Sequence, residues 1–207
     1  MTLYDINLEY KTNLDYYTSL TNTISKNLDG RICHHRVILL SVLNQLLDIN
    51  NYLEIGVHNG TSMSYMVVNN KNINAIGVDL FEDTISRYNH DNLQYNRTLK
   101  NIKKHNDGAN ITLIKGNSFL EKTIQKVDST LNEDQVDLLF IDGDHSYKGI
   151  SNDFNNYTKF VKTGGLIVID DYNSQYPDII RFCNEIEYSK FTKIGVFNNN
   201  ELILIKK

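Results

Sequence analysis

The sequence predicts an α/β domain built on a doubly wound, mostly parallel sheet that ends in an antiparallel hairpin. Two observations carry this. Five short, nearly continuous apolar runs rich in Ile, Val and Leu have the composition of strands buried on both faces. They are separated by segments of roughly 15 residues or more, long enough for right-handed helical crossovers between parallel strands. By contrast, the last two runs, FTKIGVF and ELILIKK, are joined only by NNN. That is too short for a crossover and predicts a hairpin.

Residues 1–30 are polar, rich in Asn, Thr and Tyr, and weakly periodic, with a turn at Asp29-Gly30. They are expected to form a helical arm or lid beside the domain proper, residues 31–207. From Arg31 to Leu47, apolar residues recur with helical spacing at Leu39, Val42, Leu43, Leu46 and Leu47, which predicts a helix packed on the sheet. The strand runs then follow in the order NYLEIGV, NAIGVDLF, ITLIKGN, VDLLFIDG and GGLIVIDDY. The Asn clusters NNK and NNN read as loop material, and there is no internal repeat or Pro-rich linker.

A chain of 207 residues suits one substantial core better than two domains. A formal net charge of -4 gives no electrostatic reason to expect nucleic acid, whose backbone calls for a basic face. Cys33 and Cys183 lie far apart without a CxxC spacing, so neither a disulfide framework nor a zinc site is expected. The first residues lack the basic and apolar regions of a secretory signal, and the longest apolar segment, VILLSVLNQLL, is too short to span a bilayer. A cytoplasmic protein without a membrane partner is the expectation, and a homo-oligomer is left open.

The loop after the first strand, in YLEIGVHNGTSMSYM, places Glu54, Gly56 and Gly60 where a parallel sheet meets its ligands, beyond the carboxyl end of the strand. Thr61 and Ser62 add cap-type hydroxyls at a helix N-terminus suited to an anion. A dinucleotide fingerprint would carry a second close-approach glycine where His58 stands, so a pyrophosphate would be crowded. Glu54 could accept from an ammonium group, and an amino-acid-bearing cofactor fits both facts. A plain strand-to-helix turn with incidental glycines is the alternative. Asp79, near the end of the second strand, stands where an acidic residue takes ribose hydroxyls, or else caps a helix. Asn117 and Ser118, after the third strand, suit the edge of an adenine.

The segments LEIGVHNGTS, GVDLF, KGNS, FIDGDHSY and GGLIVIDDY, in this order and followed by the hairpin, resemble the class I S-adenosylmethionine-dependent methyltransferases. Within that class they are most similar to the small-molecule O-methyltransferases, the group of the catechol type and of the metal-dependent macrolide-sugar enzymes. The resemblance covers roughly residues 31–207. It implies a Rossmann-like seven-stranded sheet in the order 3-2-1-4-5-7-6, with the seventh strand antiparallel. Glu54, Gly56 and Gly60 would line the methionine moiety, Ser62 would meet its carboxylate, Asp79 the ribose, and Asn117 with Ser118 the adenine. Relatives often carry Asp where Asn117 stands.

Three carboxylates converge at adjacent strand ends: Asp142 after the fourth strand, and Asp170 with Asp171 after the fifth. Oxygen ligands on rigid elements suit a hard divalent cation such as Mg²⁺, and in metal-dependent relatives residues at these positions hold the ion. A cation bound to an acceptor hydroxyl would lower its pKa, so that a weak base suffices. His145, next to Asp144 in the same loop, is the expected base, with a structural hydrogen-bonding role as the alternative. Turn or cap roles are the alternative for Asp170 and Asp171. Asp153 reads as a solvated helix-face residue, and His34 and His35 as capping or surface residues, with reach to the cofactor pocket as the alternative. The expected activity is metal-assisted O-methylation of a small hydroxylated acceptor such as a sugar. The competing readings are a nicotinamide-dependent oxidoreductase and a non-catalytic cofactor-binding module.

Overall fold

The structure is a computed structural model that describes residues 1–29, 38–68, 70, 72–82 and 93–207. Seven strands form one sheet: β1 (Asn51–Ile55), β2 (Asn74–Asp79), β3 (Asn110–Lys115), β4 (Val136–Ile141), β5 (Val161–Ile169), β6 (Phe191–Phe197) and β7 (Glu201–Lys206). Their order is β3-β2-β1-β4-β5-β7-β6, parallel except that β7 runs antiparallel to both β5 and β6. This is the strand order that the resemblance implies and the hairpin that the short NNN link predicts. The helices among the described residues are α1 (Leu3–Thr12), α2 (Leu14–Asn27), α3 (Ile38–Leu46), α4 (Thr61–Val67), α5 (Leu93–Lys103), α6 (Glu121–Leu131), α7 (Tyr147–Tyr157) and α8 (Pro177–Glu185). Cys33, His34 and His35 lie outside the described residues.

The continuous apolar runs follow from burial on both faces. Successive side chains point to opposite faces of a strand, and in β4 Leu138 and Phe140 join the core cluster of α1 to α5, whereas Leu139 and Ile141 join that of α6 to α8. In β1, Tyr52 belongs to the first cluster, and Leu53 and Ile55 to the second. The N-terminal residues expected as a separate arm contribute Ile6, Tyr17 and Ile24 to the first cluster with no exposed surface. Asn101 on α5 exchanges hydrogen bonds with the backbone N–H and C=O of Asp29, which fixes the end of this segment. Strand β5 begins at Val161, three residues before the apolar run GGLIVI, because Val161 pairs with Val136 before a register shift in the ladder.

Parallel strands bring the carboxyl ends of β1 to β5 to one edge of the sheet. Because β7 is antiparallel to β5, with Ile169 opposite Leu202, the β6–β7 turn comes to the same edge. Asn200 in that turn is thereby placed beside Asp170.

Candidate active site

The loop leaving β1 is shaped first by contacts within the chain. Gly56 has φ +94°, and a Cβ there would collide with the backbone carbonyl of Asp142 and sit 2.8 Å from the Gly143 nitrogen. The glycine thus lets the exits of β1 and β4 touch, with Asp142 N–H donating to the Ile55 carbonyl at 2.8 Å. At Gly60, φ is +79° and a Cβ would approach Ile102 Cγ1 to 2.7 Å and Thr98 Cγ2 to 3.2 Å. Its small size serves the packing of α4 on α5. Gly60 is itself the N-cap of α4, without a side-chain cap from Thr61 or Ser62.

Asp79 is oriented by two backbone donors. His58 N–H donates to Oδ2 at 2.8 Å and Phe81 N–H to Oδ1 at 2.6 Å. Each carboxylate oxygen has a further lone pair, so the half-buried group can still accept from a vicinal diol. That pair of acceptors fits the ribose of the expected cofactor.

Glu54 has no exposed surface and accepts from Tyr52 Oη at 2.8 Å and from Ser62 Oγ. It therefore lies beneath the loop, with Ser62, 5% exposed, between it and solvent. Burial pushes its carboxyl up from 4.5 to about 8, against the opposing effect of the Ser62 and Tyr52 hydrogen bonds. The folded state therefore holds this proton more tightly than the unfolded chain. The resulting stabilisation is complete below about pH 4.5 and is lost as pH rises through about 8. Urea melts should show the ligand-free protein losing stability across this window relative to Glu54→Gln. Parallel pH profiles for the two proteins would contradict the assignment.

Beyond β3, Asn117 Oδ1 accepts from the Phe119 N–H at 2.8 Å, and Tyr157 Oη donates to the Ser118 carbonyl at 2.9 Å. Asp153 corrects an expectation: it is not solvated but fully buried on α7, facing Gly143 and the Ser118 side chain. The reason is its position one turn from Tyr157 and on the same helix face as Ile150 and Phe154, which pack in the core. Burial raises its carboxyl to about 7.

The acidic cluster lies across the ends of β4 and β5. Ligand atoms of Asp142, His145 and Asp171 all lie within 4.8 Å of one another, a grouping that could hold a metal ion. His145 Nε2 is 3.3 Å from Asp142 Oδ1 and 3.4 Å from Asp171 Oδ2. These separations are those of ion pairs between the imidazole and the two carboxylates, which bring Asp142 and Asp171 to one small volume. The hydrogen bond to Asp142 raises the His145 pKa, while burial raises that of Asp142 against the opposing hydrogen bond from His145. The Tyr176 ring stands edge-to-face on His145, with centroids 4.6 Å apart. Asp170 is turned inward: its Oδ1 accepts from the Asp171 N–H at 2.8 Å and from Asn200 Nδ2. Asp171 itself has φ +58°, an uncommon conformation for an L residue. Asn200 and Tyr52 were missed from sequence, although the antiparallel last strand and the alternation of β1 carry the signals that place them.

A family model described as a methyltransferase domain matches residues 53–172. That span, more than half of the chain, runs from β1 to just beyond β5 and contains every site residue described above except Asn200 and the ends of the Tyr52 and Tyr176 contacts. The chain belongs to this methyltransferase family. Membership decides for an S-adenosylmethionine-dependent methyltransferase over the nicotinamide-dependent alternative. An uncharacterized protein of Acanthamoeba polyphaga mimivirus is 37% identical over 190 residues, covering 86% of this chain and 82% of the relative. In fold, the methyltransferase is similar to a proposed caffeoyl-CoA O-methyltransferase from Staphylococcus aureus, with a TM-score of 0.68, 18% identity, and coverage of 97% of this chain and 99% of that one. It is also similar to the O-methyltransferase TomG of tomaymycin synthesis from Streptomyces achromogenes, solved with S-adenosylmethionine. There the TM-score is 0.62 at 14% identity, covering 89% of each chain. No helix among the described residues is long and apolar enough to cross a membrane.

Proposed function

We propose that this methyltransferase transfers the methyl group of S-adenosylmethionine to a hydroxyl oxygen of a small hydroxylated acceptor, with a sugar as the first candidate and a divalent cation, Mg²⁺ first, assisting. The observation that carries this reading is the convergence of Asp142, His145 and Asp171 at the strand edge that also bears Asp79. Asp142 and Asp171 would face the cation, and Asp170, engaged by Asn200, adds negative charge behind them. When bound, the cation supplies Lewis acidity that lowers the pKa of an acceptor hydroxyl.

His145 supplies the proton acceptor. Its ring is held between two carboxylates and the edge of Tyr176, and an imidazole titrates near neutrality. As the oxygen–carbon bond forms and the sulfur–methyl bond breaks, the hydroxyl proton would pass to the neutral imidazole of His145, whose Nε2 is released when a cation takes up the two carboxylates. Asp79 orients the ribose, and Ser62, whose hydroxyl proton is committed to Glu54, would meet the methionine carboxylate through its backbone N–H at the start of α4. The chain's main contribution is alignment of oxygen, methyl carbon and sulfur.

Asp79→Ala tests the cofactor half of this reading. Losing hydrogen bonds to a charged group should weaken S-adenosylmethionine binding by about 1.5–3 kcal/mol in calorimetry. An unchanged dissociation constant in a folded variant would remove Asp79 from the site.

A further inference from the structure

We propose that Asp153 is a positioning residue that fixes the Ser118 hydroxyl as an acceptor for the 6-amino group of the adenine, so that the protein selects adenine over a 6-oxo purine. The inference rests on the cofactor reading above, in which the loop carrying Asn117 and Ser118 borders the purine.

The β3–α6 loop is short of acceptors. The Asn117 side-chain oxygen already receives the Phe119 N–H at 2.8 Å, where an Asp would have brought a second carboxylate oxygen. Ser118 has one hydroxyl proton and two lone pairs, so the direction of its proton decides whether it offers the purine a donor or an acceptor. Its backbone is held from behind by Tyr157, whose hydroxyl donates to the Ser118 carbonyl at 2.9 Å. One helical turn earlier on the same face stands Asp153.

Asp153 has no exposed surface, and neither carboxylate oxygen has a hydrogen-bond partner of good geometry among the described residues. A buried carboxylate in that state is costly and calls for a donor. The Ser118 side chain is near enough to favour its charged form. On the other side lies Gly143, where a Cβ would approach Asp153 Oδ2 to 2.7 Å, so the glycine leaves this carboxylate its space. With its proton aimed inward at Asp153, Ser118 turns lone pairs outward. An amino group at purine position 6 donates to them, whereas an oxo group repels them.

Calorimetry with S-adenosylhomocysteine and S-inosylhomocysteine, which differ at that position, tests the inference. The wild type should prefer the adenosyl compound by about tenfold or more, the factor equivalent to one hydrogen bond of about 1.4 kcal/mol. Asp153→Ala should reduce the preference to within about threefold, and Ser118→Ala should do the same. The double variant should show no further loss. If Asp153→Ala binds both compounds more weakly but keeps their ratio, the residue is only structural and the inference fails. Should that variant not fold, a preserved preference in Ser118→Ala overturns it equally. A wild type that binds neither compound would instead bring down the cofactor reading itself.

Discussion

Asp142→Asn and Asp171→Asn should each abolish methyl transfer, by about 10²-fold or more, while leaving cofactor affinity nearly unchanged. Both carboxylates present oxygens to one small volume, with His145 Nε2 3.3 Å and 3.4 Å away. Removing one charge weakens a divalent cation's hold and also deprives His145 of a group that raises its pKa. EDTA should reproduce the loss in the wild type, and Mg²⁺ should restore activity to the wild type alone. The affinity for S-adenosylmethionine is a separate readout because Asp79, at the end of β2, is anchored by His58 and Phe81 and not by this cluster. If Asp142 were only a turn residue, its substitution would cost about 1 kcal/mol of stability and activity would survive chelation.

Gly56→Ala should have the largest effect on stability, more than about 3 kcal/mol. The added methyl would meet the Asp142 carbonyl and the Gly143 nitrogen, which are backbone atoms that cannot rotate aside. A useful comparison is Gly164→Ala. That glycine also has positive φ, +81°, but nothing lies within 4 Å of its Cβ position. Only the conformational penalty of about 1–2 kcal/mol should appear there. Urea denaturation of the two variants separates collision from backbone preference, and equal losses would contradict the contact between the exits of β1 and β4.

The central strands β1, β2, β4 and β5 were legible because they lie between two helical layers, so that both alternating sets of side chains are apolar. The sheet order beyond that came from a likeness of motifs, although the three-residue NNN link alone predicts the antiparallel hairpin. Asp79, Asp142, His145 and Asp171 were legible as polar residues at strand ends, and the fold brings the last three together. Less legible was the reason for each glycine, since Gly60 is confined by Ile102 and Thr98, contacts that only tertiary packing brings together. Asp153 was misread because α7 is polar overall, YKGISNDFNNY, and its neighbours in sequence are asparagine and phenylalanine. Its spacing from Ile150, Phe154 and Tyr157 nevertheless places it on the buried face. Asn200 looked like loop filler, yet a strand antiparallel to β5 must begin where β5 ends. A local reading of NNN misses this, and a topological one finds it.

The most direct measurement is a crystal structure of the protein soaked with Mn²⁺ and S-adenosylhomocysteine, with anomalous scattering used to locate the metal. The account predicts a peak at ligand distance, about 2.1–2.3 Å, from carboxylate oxygens of Asp142 and Asp171. It also predicts the ribose on Asp79, with the sulfur turned toward the metal. Seated S-adenosylhomocysteine without an anomalous peak beside Asp142 would contradict the metal-assisted mechanism, and a nucleoside bound away from Asp79 would contradict the site as a whole.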